Sequence, residues 1–179
     1  MKRIALFVVS FFLFDEVFSQ PIQGRQKTGH EAIYQQNDYE ISYAADWELS
    51  RNGQMGTDFI LLSPQESSTD LFRENINLII QNLPAKEMTL ADYTELSEAQ
   101  IKTLITQSKL LSSRRIQSTR GEYHRVEYQG EQGIYALHFV QHYFIRYQKA
   151  YVLTFTAEQK QYTRYRDQAE RMLQSFYIK

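Results

Sequence analysis

The strongest constraint on this chain is a run of β-type segments joined by breaks too short for a crossover. Residues 122–129 and 134–147 flank Gly130-Glu131-Gln132-Gly133. Parallel neighbours need a connection of about a dozen residues or more, whereas a short break with glycine at both ends suits a hairpin. The later segment flows through Gln148-Lys149 into residues 151–156, rich in β-branched and aromatic side chains. A moderately apolar stretch over 110–119 precedes them. The sheet built from these segments is therefore antiparallel.

Earlier in the chain, Tyr39, Ile41 and Tyr43 alternate with polar residues, which predicts a half-buried strand. Trp47 follows and is expected to plug the end of the core. Residues 59–62 form a short apolar run stopped by Ser63-Pro64, residues 65–70 a polar loop, and residues 76–80 another β-type run closed by Pro84. Thr89-Leu90-Ala91-Asp92 has the form of a capping box, and Leu90, Tyr93, Ser97, Ile101, Leu104 and Ile105 recur at helical spacing behind it. A helix is predicted over 90–107. Thr156-Ala157-Glu158-Gln159 reads as a second capping box. Tyr162, Tyr165, Ala169, Met172, Leu173 and Phe176 then form the apolar stripe of a C-terminal helix. Two long helices and hairpin connections exclude a doubly wound parallel sheet. The fold class is α+β, an antiparallel β-sheet covered by helices.

The N-terminus reads as a targeting segment. Met1-Lys2-Arg3 is basic, residues 4–14 are apolar but for Ser10, and Val17 and Ser19 stand at the −3 and −1 positions of a peptidase site. The apolar run is shorter than the roughly 20 residues that span a bilayer. The expectation is an exported protein, periplasmic or secreted, cut after Ser19. Residues 20–36 are polar, with Pro21, Gly24 and Gly29, and read as a flexible leader into a single domain over 37–179. The chain has no cysteine, so thiol redox catalysis and thiolate metal sites are excluded. Its net charge is −1, and removing residues 1–19 takes away two cations and two anions. Such a balance gives no drive towards nucleic acid or an anionic membrane.

The order of motifs resembles a known group. The Tyr-rich strand ends at Asp46-Trp47, and Phe72-Arg73-Glu74-Asn75-Ile76-Asn77-Leu78 enters a strand. Thr89-Leu90-Ala91-Asp92-Tyr93 opens the central helix, Tyr151-Val152-Leu153-Thr154-Phe155-Thr156-Ala157 forms the last strand, and Gln174-Ser175-Phe176 ends the last helix. This succession, over residues 39–176, resembles the PsbP/Mog/DcrB-like superfamily of α/β/α sandwiches. Ala44-Ala45 departs from it, because many relatives carry a proline before the Trp element. The resemblance implies a binding or accessory module: the plant PsbP protein is a non-catalytic extrinsic subunit of photosystem II, Mog-type proteins bind the Ran GTPase, and DcrB-like proteins belong to the bacterial envelope. It transfers no site residues.

The residues themselves offer little chemistry. His138 and His142 would share a helix face, but their flanks are strand-formers. On a strand the two rings stand roughly 13 Å apart, four steps of about 3.3 Å, too far for one metal. With the turn centred on residues 130–133, Arg125 faces His138 and His124 faces Phe139, so His124 and His138 lie on opposite faces. No metal or other cofactor is expected. Ser112-Ser113 lacks a nucleophile-elbow context and an identifiable base. Glu122 and Glu127 are available as carboxylates, but no spacing places them for acid–base work. Lys109, Arg114, Arg115, Arg120 and Arg125 make a basic stretch whose simplest role is to guard the sheet edge.

The expected function is a non-enzymatic accessory or binding module that docks a partner protein or small ligand in the cell envelope. The expected partner-binding residues are Tyr123, Arg125, Tyr128 and Tyr135 around the hairpin, because Tyr and Arg dominate binding hot spots. The alternatives are a hydrolase of envelope polymers and a structural subunit of a surface complex. An enzyme should present a deep cleft with converging polar groups, and a docking module a flatter apolar patch.

Overall fold

The computed structural model describes residues 26–28, 31–53, 56–84 and 88–179. The targeting segment and the expected cut after Ser19 lie outside them. The elements in chain order are β1 (Gln26–Thr28), β2 (Glu31–Gln35), β3 (Tyr39–Ala44), β4 (Glu48–Ser50), β5 (Phe59–Leu62), β6 (Asn75–Asn82) and α1 (Leu90–Leu104). They continue with β7 (Thr106–Ser118), β8 (Gly121–Gln132), β9 (Tyr135–Arg146), β10 (Lys149–Glu158), α2 (Tyr162–Ser175) and β11 (Tyr177–Ile178). Among the described residues no helix is long and apolar enough to cross a membrane.

A seven-stranded sheet runs β4-β5-β6-β10-β9-β8-β7, antiparallel throughout. Alternation along its strands feeds two cores. On one face, Leu90, Tyr93 and Ile101 of α1 pack on Val126, Tyr128, Phe139, Tyr143 and Val152. On the other, Tyr165, Ala169, Met172 and Leu173 of α2 pack with Ile76, Leu78, Val140, Leu153 and Phe155. This α/β/α layering is the expected fold. The second face is shared with a four-stranded sheet, β1-β2-β3-β11, which the sequence reading did not anticipate. Trp47 closes that core, its Nε1 donating to Gln168 Oε1 at 3.0 Å and its ring lying edge-on to Tyr165.

Several local expectations change. Part of the leader expected over 20–36 is strand: β2 pairs along its whole length with β3 and buries Ala32 and Tyr34. Its alternation is only two apolar residues long, too short to register as a strand. The helix begins at the Thr89–Asp92 box, with both reciprocal bonds formed, but it ends at Leu104 because Ile105 turns extended and Thr106 joins β7. The second expected capping box is not a cap. Thr156, Ala157 and Glu158 continue β10, and α2 starts after Gln161 with no side-chain cap. Residues 147–148 do not continue a strand but turn it: Tyr147 and Gln148 have φ of 51° and 62°, and Lys149 faces Arg146. Two left-handed residues make a primed hairpin turn, here without the usual Asn or Gly signal.

The hairpin register also differs. The turn is Gly133-Ile134 alone, with Gln132 facing Tyr135. Arg125 therefore faces His142, not His138, and His124 faces Tyr143, not Phe139. Gly133 takes φ of 58°, as the first position of a type II′ turn requires. Gly130 lies inside β8 because a Cβ there would overlap Ile105 Cγ2 at the end of α1. The slip is an even number of residues, so every side chain keeps its expected face.

Candidate functional site

Two places on this scaffold concentrate polar chemistry or exposed apolar surface. One is the seam between α2 and the sheet. Arg125 of β8 is 6% exposed and divides its guanidinium between two carboxylates. Its Nη1 donates to Glu127 Oε2 at 2.7 Å and its Nη2 to Glu170 Oε1 of α2 at 2.5 Å. The other oxygen of Glu127 accepts from His138 Nε2 at 2.8 Å and from the Tyr162 hydroxyl at 2.9 Å. The His138 ring stacks on Tyr162 at 3.4 Å, and Gln129 Nε2 lies 3.2 Å from His138 Nδ1. Burial raises the Glu127 pKa, but the bonds from Arg125, His138 and Tyr162 outweigh it and hold the carboxyl at about 2. Burial holds His138 below the ordinary imidazole value, against the pull of Glu127. With His138 neutral and its Nε2 donating, both oxygens of Glu127 and both ring nitrogens of His138 are engaged by neighbours. The cluster fastens α2 to β8 and β9.

His142, directly opposite Arg125, is fully buried with neither ring nitrogen bonded. Its ring packs 4.5 Å from that of Tyr123, and burial, with a smaller push from Arg125, lowers its pKa to about 3. It is a neutral imidazole. His138 and His142 do share a strand face, as expected. Among the described residues no group of three or more acidic or histidine side chains is placed to hold a metal ion.

The expected absence of a base beside Ser113 is corrected. Its Oγ lies 2.7 Å from His124 Nε2 across β7 and β8, an adjacency the register makes and the sequence does not show. The pair is exposed, and among the described residues nothing bonds the other nitrogen of His124 to fix its tautomer. Burial nonetheless keeps that imidazole's pKa low. A nucleophile also needs oriented base and oxyanion donors, which this open sheet edge does not assemble.

The second place is the end of the molecule where the β8–β9 hairpin meets the 63–74 loop. Asp70 shapes that loop, its carboxylate accepting from the backbone of Glu66 at 3.1 Å and of Phe72 at 3.3 Å. The Phe72 ring lies 5.0 Å from that of Tyr135, whose hydroxyl donates to the Leu71 carbonyl at 3.4 Å. The start of α2 is drawn in as well, because Gln159 donates its backbone N–H to Ala136 at 2.9 Å. Together they enclose a cavity of about 420 Å³ lined by Glu66, Asp70, Leu71, Phe72, Tyr135 and Lys160, among others. Glu66 is paired to Arg164 at 2.6 Å and to the Tyr165 hydroxyl at 2.8 Å, and burial, with that hydrogen bond added, pushes the phenol up to about 12. Lys160 holds Glu158 at 2.9 Å. On its rim stand Leu71, 72% exposed, and Ile134, 86% exposed at the hairpin tip.

The four expected partner-binding residues do not form one surface. Tyr128, 1% exposed, belongs to the core under α1, stacked on Phe139. Tyr123 and Arg125 point to the opposite face and are buried against His142 and α2. Alternation separates them, and both helices cover what the hairpin alone would expose. Tyr135 is the one that reaches the cavity. Leu71 and Ile134 were missed because an isolated aliphatic in a loop or turn carries no periodic signal.

The sequence profile of the PsbP family matches residues 31–178. A search of curated protein sequences finds no match. The solution structure of cyanobacterial PsbP (CyanoP) from Synechocystis sp. PCC 6803 superposes with a TM-score of 0.63 at 17% identity, over 92% of this chain and 98% of that one. LpqN of Mycobacterium tuberculosis, involved in cell envelope biogenesis, gives 0.63 at 10% identity, over 84% and 92% of the two chains. PA94 of Pseudomonas aeruginosa, a putative regulator of unknown function, gives 0.58 at 13%, over 82% and 96%. These structures share the fold, and with the profile spanning β2 to β11 the chain belongs to the PsbP family.

Proposed function

We propose that this protein is a non-enzymatic, exported binding module that docks a partner at the hairpin end, in the cell envelope. One observation carries the reading: Leu71 and Ile134 stand bare on the rim of a polar cavity. Covering each aliphatic side chain is worth about 1.5–3 kcal/mol, so an exposed pair beside a recess is a surface with something to gain from a partner. Tyr135 and Phe72 behind them supply a stiff aromatic floor, and Lys160, Glu66 and Asp70 a polar rim. The basic segment before an apolar run at the N-terminus supports export, and the involvement of LpqN in cell envelope biogenesis is in keeping with it.

Size-exclusion of a gently solubilised envelope fraction tests the reading. The wild-type chain is expected in a species larger than the monomer, and Leu71→Asp combined with Ile134→Asp is expected to release it as monomer with an unchanged melting temperature. A wild-type chain that elutes as a monomer, or a double variant that stays in the larger species, overturns the assignment. Turnover of an envelope polymer by the purified protein, lost in Ser113→Ala, would favour the hydrolase alternative.

A further inference from the structure

The outermost strand of the large sheet is long, bare and basic. β7 runs for 13 residues, and none is buried: Ser108, Ser112 and Ile116 are half-covered and the rest exposed. Its inner edge pairs with β8. Its outer edge meets no strand, and among the described residues no backbone hydrogen bond leaves it on that side. Along a strand every second residue turns its N–H and C=O outward, so this edge is a template for another strand. Natural edges are usually short, covered or bulged. β7 is irregular between Thr106 and Ser112, but from Ser112↔Glu127 to Ser118↔Gly121 its register runs unbroken.

The charge on this edge selects what could pair with it. β7 carries Lys109, Arg114 and Arg115 and no acidic residue. Arg115 is held by both oxygens of Glu122 at 2.5 Å. Lys109 and Arg114 make no ion pair among the described residues. Arg114 faces Arg125 across the ladder, and Glu127 and Glu170 are both paired to Arg125. A second copy of β7 would bring the same uncompensated cations to the same seam, which disfavours self-pairing. An extended segment carrying carboxylates matches both the backbone and the charge, with Leu110 and Leu111 exposed beside the cations to meet its apolar residues.

We propose that the outer edge of β7 accepts an acidic polypeptide segment as an eighth strand, laddered along residues 112–118 and read by Lys109 and Arg114. This surface is distinct from the hairpin end, so neither proposal depends on the other. The probe is a synthetic peptide of about nine residues alternating glutamate and valine, capped at both ends and titrated into the 15N-labelled protein. Outward amides within 112–118 are expected to shift and to exchange at least about tenfold more slowly. Binding is expected to weaken about tenfold or more on Lys109→Glu with Arg114→Glu, and to vanish when alternate peptide nitrogens are methylated. The lysine–valine counterpart is expected not to bind. Unchanged β7 amides sink the proposal, as do shifts confined to Leu71, Tyr135 and Ile134, which would assign the peptide to the hairpin end instead. Concentration-dependent dimers of the protein alone, with 112–118 protected, would overturn it in favour of a second copy.

Discussion

Glu127 accepts hydrogen bonds from side chains on three elements: Arg125 of its own strand, His138 of β9 and Tyr162 of α2. With its carboxyl at about 2 against an ordinary 4.5, its contribution to stability is complete above about pH 4.5 and fades as the pH falls through 2. Glu127→Gln is expected to flatten that part of the stability profile, measured by urea unfolding from pH 2 to 6. His142 acts over a different window. Its folded pKa of about 3 is depressed below 6.5, so between those values the unfolded chain binds the extra proton and stability falls as the pH drops. His142→Phe, which keeps a ring against Tyr123, is expected to remove up to about 5 kcal/mol of that loss and to make the variant the more stable protein at pH 4. An equal slope in both proteins would show that His142 is hydrated. That Arg125, His138 and His142 share one sheet face follows from the alternation of the sequence. That α2 would lie over it with Tyr162 and Glu170 does not, because the stripe of a helix gives its buried side and not the strands it covers.

At the scale of elements, the two glycines of the hairpin make different demands. Gly130 has no room for a Cβ beneath Ile105, whereas Gly133 has open space but a φ of 58°. Gly130→Ala is expected to cost about 1–3 kcal/mol by overpacking and to loosen the end of α1. Gly133→Ala is expected to cost about 1–2 kcal/mol through backbone strain alone. Thermal unfolding with amide exchange at Ile101 and Ile105 separates them, since only the first should raise exchange there. Both helices, β3 and the strands from β6 to β10 were legible because each repeats a period or a β-type composition over enough residues, and the four-residue β5 because its unbroken apolar run stops at Ser63-Pro64. The elements that escaped, β1, β2, β4 and β11, are five residues or shorter. They owe their strand geometry to partners supplied by the rest of the fold. The turn positions escaped for a related reason: Tyr147-Gln148 adopts left-handed backbone without the residues that usually announce it.

Across the whole molecule, the layering covers both faces of the central strands and leaves the two proposed recognition surfaces at an end and an edge. Leu173 is the clearest probe of the layers, being 1% exposed in the core shared by α2 and the small sheet. Leu173→Asp is expected to destabilise by at least about 3 kcal/mol, since it replaces packed surface with an unpaired charge. Denaturant unfolding measures it, and near-wild-type stability would mean that α2 does not pack there. This arrangement explains why residues chosen by type around the hairpin proved buried. Tyr and Arg serve cores under a covering helix as readily as interfaces, and only the layer order distinguishes the two roles.

The proposed docking of a partner at the hairpin end is open to site-specific photo-crosslinking in the native cell. A photoreactive residue replaces Ile134 at the tip or, as a control, the exposed Glu95 on α1. One discrete adduct is expected from position 134 and none from position 95, with loss of that adduct on Leu71→Asp and the melting temperature retained. No adduct at 134, or the same adducts from both positions, would contradict it.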